Sequence, residues 1–188
     1  MSQASQTGRP GRYPRTTGGL VGSIIVLVLV VIAVVLFRGA FRQTPTYEPD
    51  HLDYRAFVTS VQQAGIKPVY PAALPAGWYV KDATFSSGDR PVVDLAMNTG
   101  DGRYSGLHQE DRGVDELVAT YVGGDATQGA DVQIGGTVAP TWQTFSDPGG
   151  DHAFAAQVDG QTVLVYGSTS EAQLRSFVGS LTTARLEP

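Results

Sequence analysis

Residues Leu20 to Phe37 read LVGSIIVLVLVVIAVVLF, eighteen in a row without a charge. As a helix rising 1.5 Å per residue the run would cover about 27 Å, close to the hydrocarbon thickness of a bilayer. Its β-branched residues favour strands in water. In lipid an isolated segment must satisfy its own backbone hydrogen bonds, which makes it a helix. It is longer than the hydrophobic region of a cleaved signal peptide, and Phe37-Arg38-Gly39-Ala40-Phe41 offers no small-x-small cleavage site. The expectation is an uncleaved signal anchor, a single transmembrane helix over 20–37 whose first partner is the membrane. Arg9, Arg12 and Arg15 precede the run and Arg38 and Arg42 follow it. That bias places the N-terminus in the cytoplasm and the C-terminal part outside, a single-pass cell-membrane protein with an extracytoplasmic domain. Residues 1–19, basic and glycine-rich, are expected to be a disordered cytoplasmic tail. They serve either as a contact to anionic lipid or only as a topology signal.

Charge is unevenly spread. The net charge is −5, yet the five arginines named above stand in residues 1–42 without a single acid. The remainder is therefore strongly acidic and repels phosphate backbones, so no nucleic acid partner is expected. The absence of cysteine excludes disulfides, thiolate metal sites and a cysteine nucleophile. Glycine (23) and proline (11) favour turns and short elements.

Residues 38–65 read as a juxtamembrane linker and helix. Tyr54, Phe57, Val58 and Val61 form one apolar face, Asp50 is a candidate cap, and Gly65 is a stop. The helix could dock on the domain or stand between it and the membrane. Residues 66–184 read as an α+β domain. Pro68, Pro71 and Pro75 enforce an extended path. Strands are expected over Trp78–Phe85, with Tyr79, Ala83 and Phe85 on one face, over Pro91–Asn98, with Val93, Leu95 and Met97 inward, and over Tyr104–Gln109. A helix follows, with Val114, Leu117, Val118 and Tyr121 on one side and acids near its N-terminus. Further strands are expected at Val132–Ile134, Val138–Phe145, Ala153–Val158 and Thr162–Tyr166, the last apolar on both faces as a central strand would be. Asp159-Gly160 is a tight hairpin turn. Ser170 and Gln173 open a last helix with the stripe Leu174, Phe177, Val178 and Leu181, and Thr182–Pro188 is a tail. The expected fold is a mainly antiparallel sheet packed with two or three amphipathic helices, preceded by the transmembrane helix.

The stretch LPAGW (Leu74–Trp78), Arg15-Thr16, the apolar span and the ending G-x-T-V-L-V-Y-G-S-T-S-E-A-Q-L-R-S-F-V-G-S-L (Gly160–Leu181) together resemble domain-of-unknown-function family 4245 over roughly residues 14–184. The resemblance implies an actinobacterial single-span membrane protein. It implies no catalytic residue, because the family has no established activity. The ending is also similar to other bacterial envelope domains with antiparallel α+β folds. In LPAGW, Pro75 stiffens the approach and Gly77 permits a bend. Trp78 then packs at the core edge or contacts a ligand, and Trp142 carries the same two readings.

No chemical motif stands out. His51, His108 and His152 lack HExxH or comparable spacing. His108 with Glu110 and Asp111 could supply some metal ligands, but strand alternation is expected to separate them, leaving a solvated acidic cap. Asp147 and Asp151 flank a Pro-Gly-Gly turn that needs no calcium. No hydrolase signature, P-loop or dinucleotide fingerprint occurs, so no cofactor is expected. The sequence reads as a non-catalytic envelope module that binds a protein partner or has a structural role, with a lipid or small-ligand carrier as the alternative and an envelope hydrolase third.

Overall fold

The computed structural model describes residues 21, 24–25, 27–32, 34 and 52–186. The chain divides into two compact units, Met1–Glu48 and Pro49–Pro188. In the first, the described residues are helical and their side chains are exposed. Of the run 20–37, expected to be a transmembrane helix, ten residues are described and are helical; the tail 1–19, the linker 38–51, Asp50 and His51 lie outside the described residues. Among the described residues no helix is long and apolar enough to cross a membrane.

The second unit opens with α1 (Tyr54–Gln63). Its cap is Asp53, not Asp50. The Asp53 carboxylate accepts from the backbone N–H groups of Arg55 and Ala56 at 3.0 and 3.3 Å. At the other end Gly65 adopts φ 85°, and Gly65 and Ile66 donate back to Gln62 and Val61. This is the Schellman closure that a glycine permits. Val58 and Val61 are buried and Tyr54 and Phe57 pack on the core, so the helix docks on the domain.

Strands β1 (Tyr70–Pro71), β2 (Tyr79–Ser86), β3 (Val92–Asn98) and β4 (Tyr104–Glu110) lead to α2 (Val114–Tyr121). Then come β5 (Thr127–Gln128), β6 (Val132–Gln133), β7 (Thr141–Ser146), β8 (His152–Val158), β9 (Gln161–Gly167), α3 (Glu171–Val178) and β10 (Leu181–Thr182). The main sheet runs β2-β3-β4-β9-β8-β7-β5, with β6 also on β7. Every described pairing is antiparallel. Two hairpin meanders thus meet where β4 pairs with β9, and the α+β, mainly antiparallel expectation holds.

Period-2 alternation distributes the core to both faces. Phe154, Ala156, Val163 and Val165 join Leu95, Met97 and Leu107 under α3, while Ala153, Ala155, Leu164 and Tyr166 pack under α2. The doubly apolar β9 is central, as its sequence requires. Asp159 and Gly160, at φ 50° and 84°, form its tight turn with β8. Ser170 caps α3 by accepting from the Gln173 N–H, and the Gln173 side chain accepts from Thr169 and Ser170.

Three sequence expectations are corrected. In β2 the register shifts between Val80 and Asp82. One extra residue in this bulge turns Val80, rather than Tyr79, inward with Ala83. The strand after Pro140 starts at Thr141, where the ladder can begin without the missing proline N–H. The presumed tail begins as β10, paired with β1 across the proline-rich path. Tyr54 and Tyr70 hydroxyls and the Gln62 amide tie this corner to backbone carbonyls.

Candidate functional site

Trp78 stacks on Phe177, with ring centroids 5.3 Å apart and planes 18° from parallel. Only 8% of Trp78 is exposed. Its backbone N–H closes a turn onto Pro75, and Gly77 takes φ 80° against Gly100. Trp142 is fully buried and donates its indole N–H to Ala139 at 2.9 Å. Both tryptophans therefore pack in the core.

The unusual polar chemistry lies on the other face of the sheet. His108 points from β4 toward α2 and is 1% exposed. Its Nδ1 lies 2.9 Å from Asp94 on β3 and its Nε2 lies 3.2 Å from Glu110, two residues along β4. Residues i and i+2 share a strand face. Alternation therefore brings Glu110 to His108, against the separation expected, and removes only Asp111, which lies past the strand end. Arg112 approaches both Glu110 and Glu116, linking β4 to α2. Tyr121 of α2 covers the imidazole, with centroids 4.4 Å apart.

Tyrosines continue the site. Tyr121 meets Tyr166, and the Tyr166 hydroxyl lies 3.1 Å from that of Tyr104. Tyr166 lies over Gly106, where a Cβ would meet its ring at 2.5 Å. Burial, reinforced by the Tyr104 hydroxyl, pushes the Tyr166 phenol far above the usual range. Burial also raises Tyr104 and Tyr121, and the nearby Asp94 carboxylate adds to both. An unfolded tyrosine ionises near pH 10, whereas these folded phenols hold their protons beyond it. Their contribution to stability is thus complete below about pH 10 and is lost as pH rises through the folded values. Spectrophotometric titration is expected to show delayed phenolate formation in the folded chain, followed by cooperative release on alkaline unfolding. Ordinary titration of all eight tyrosines would refute this.

Apart from Tyr121 on His108, helix α2 packs on the β8–β9 half of this face. On the β2–β4 half, cross-strand neighbours form the rows Tyr79–Asn98–Tyr104, Asp82–Ala96–Gly106 and Thr84–Asp94–His108. These rows are exposed at Asp82, Thr84 and Tyr104, half-buried at Tyr79, Asn98, Ala96 and Asp94, and buried at Gly106 and His108. Asn98 donates to the Tyr79 hydroxyl at 3.1 Å. Between the tyrosine-rich row and the Asp94 row, Ala96 is half-buried and Gly106 is covered by the Tyr166 ring.

Chemically, both nitrogens of His108 already face carboxylates, so neither is presented to a hydroxyl nucleophile. No group of three or more His, Asp or Glu placed to hold a metal ion occurs among the described residues. His152 stands on β8, apart from this cluster, in register with Ser146 and Gly167. Asp94 escaped sequence reading because its link to His108 crosses between strands. The usable signal was a polar residue at the outward position between Val93 and Leu95, in a strand one hairpin away from His108.

An antiparallel sheet with a helix on each face, one face only half covered, defines an α+β domain of mainly antiparallel construction. The chain belongs to the family described as "Protein of unknown function (DUF4245)", whose pattern matches residues 12–181. No curated protein matches the sequence significantly. One solved structure, "Crystal structure of MucB in complex with MucA(peri)", is similar at 17% identity with a TM-score of 0.33. The similarity covers 61% of this chain and 36% of that one, so the chain spans about a third of that protein's length.

Proposed function

We propose that this protein is a membrane-held, extracytoplasmic, non-catalytic module that binds a protein partner on the uncovered half of its sheet. The observation that carries this reading is the open β2–β4 face. It combines the small, half-buried Ala96 with exposed Tyr104 and the carboxylates of Asp82 and Asp94. Tyrosine supplies large contact area at low entropic cost, and it is enriched in interface cores. The acidic side chains favour a partner segment carrying lysine or arginine. Two features favour binding at a surface over the alternatives. The space beneath α3 is filled by Trp78, Trp142, Phe154 and Phe177 rather than left for a lipid. The His108 ring is engaged on both nitrogens rather than poised as a base. The uncharged run Leu20–Phe37 and its flanking arginines support membrane attachment and the extracytoplasmic orientation.

A photoreactive amino acid at Ala96, compared with one at Ser176 on the exposed side of α3, tests the reading in intact cells. The expected result is one discrete crosslinked polypeptide from position 96, weakened by Asp94→Lys, and none from position 176. Equal or absent crosslinking at both positions would overturn it.

A further inference from the structure

A second surface is independent of the open sheet face. Between the first turns of α1 and the C-terminal segment lies an open groove of about 650 Å³. Arg55 from α1 and Arg185 from the C-terminal segment both line it, together with Asp53, Thr59 and Tyr70. Neither guanidinium is within ion-pair distance of a described carboxylate, although this part of the chain is rich in acids. The Asp53 carboxylate is engaged with two helix N–H groups. Among the described residues that line the groove, two arginines therefore stand with one committed acid.

The segment that carries Arg185 is held firmly. Gln62 of α1 donates its side-chain amide to the Ala184 carbonyl at 2.8 Å and accepts from the Leu186 N–H at 3.0 Å. Tyr70 donates to the same Ala184 carbonyl, also at 2.8 Å, and the Ala184 N–H donates to Thr182. Residues on both sides of Arg185 are thus fixed, and its backbone cannot drift from the groove. Ordering a chain terminus costs conformational entropy. Here several long-range hydrogen bonds offset it at the one place where a second cation joins Arg55. A guanidinium offers a planar fork of donors matched to phosphate oxygens, and one carried on a held backbone loses less freedom on binding.

We infer that the groove between α1 and the C-terminal segment is an anion site in which Arg55 and Arg185 together hold a phosphate group. The phosphate belongs either to an anionic lipid headgroup or to a soluble phosphate ester. Thermal unfolding of the full chain in an uncharged detergent tests this, with glycerol phosphate and a short-chain phosphatidylglycerol as probes. Binding to the native state raises Tm with ligand concentration. Each single change, Arg55→Gln or Arg185→Gln, is expected to weaken the apparent affinity about tenfold or more, and the double change to abolish it. Both side chains lie outside the core, so Tm without a probe should stay close to that of the parent chain. Stabilisation by both probes assigns the site to the phosphate itself, and stabilisation by the lipid alone assigns it to a headgroup. A probe-induced rise that is missing from the parent chain, or that survives unchanged in R55Q/R185Q, overturns the inference. Gln62→Ala gives a second reading. It leaves both arginines in place but frees the segment, so binding should weaken; undiminished binding would show that pre-positioning of Arg185 plays no part.

Discussion

Replacing Phe177 with alanine is expected to remove about 3–5 kcal/mol of stability. Phe177 is fully buried in α3 and is stacked on Trp78. Its loss removes transfer energy and leaves a cavity that the rigid neighbours Trp142 and Phe154 cannot close. A domain of this size has only about 5–15 kcal/mol in hand. Urea unfolding followed by tryptophan fluorescence checks the number and also the mechanism, because Trp78 should become more exposed in the folded variant. Phe177→Leu, which keeps most of the volume, should lose clearly less. If alanine and leucine cost the same, the stack is not what holds α3 on the sheet. The same experiment bears on LPAGW, since a tryptophan serving a ligand site could be altered without cost to folding.

His108→Ala should cost roughly 3 kcal/mol, because it removes a buried ring together with the hydrogen-bond contacts that its two nitrogens make with Asp94 and Glu110. The change leaves Asp94 and Glu110 turned toward an emptied site without the ring that each contacts. It also strips the support beneath Tyr121, loosening the attachment of α2. Asp94→Asn should cost less, about 1 kcal/mol, because an amide oxygen can still accept from the imidazole. Chemical denaturation of the two variants gives the order. A larger penalty for Asn than for Ala would mean that the histidine is dispensable and that Asp94 acts through another contact. A triple replacement by well-packed apolar residues should restore stability, because replacing all partners of a buried polar contact by apolar groups of similar shape leaves no group unsatisfied. The cluster would then owe its presence to specificity or function rather than to net stability.

Much of this architecture was legible in the residue pattern, and particular elements show why. Strand β8 alternates Phe154, Ala156 and Val158 against Ala153 and Ala155, so its two faces could be written down from the sequence. Strand β9 lacks a polar face, which requires cover on both sides and so a central place. Gly65, Asp159-Gly160 and Ser170 mark ends and turns through local backbone chemistry, which needs no tertiary information. Where the reading slipped, the deciding contact was distant. The bulge at Val80–Asp82 is defined only against β3. The pairing of β1 with β10 joins residues more than a hundred positions apart.

The candidate sites follow the same division. The sequence alone determined that a long uncharged apolar run precedes an acidic α+β domain with a mainly antiparallel sheet, because periodicity, turn residues and charge are local properties. Only the tertiary structure decided that β4 pairs with β9. That pairing sets Tyr166 over Gly106, and α2 then lays Tyr121 on His108 and leaves the rest of the face open. It also decided that Arg185 joins Arg55 across the chain. Strand order and helix docking are chosen by the shape and burial of distant surfaces against the entropy of closing long loops. No window of neighbouring residues contains that balance.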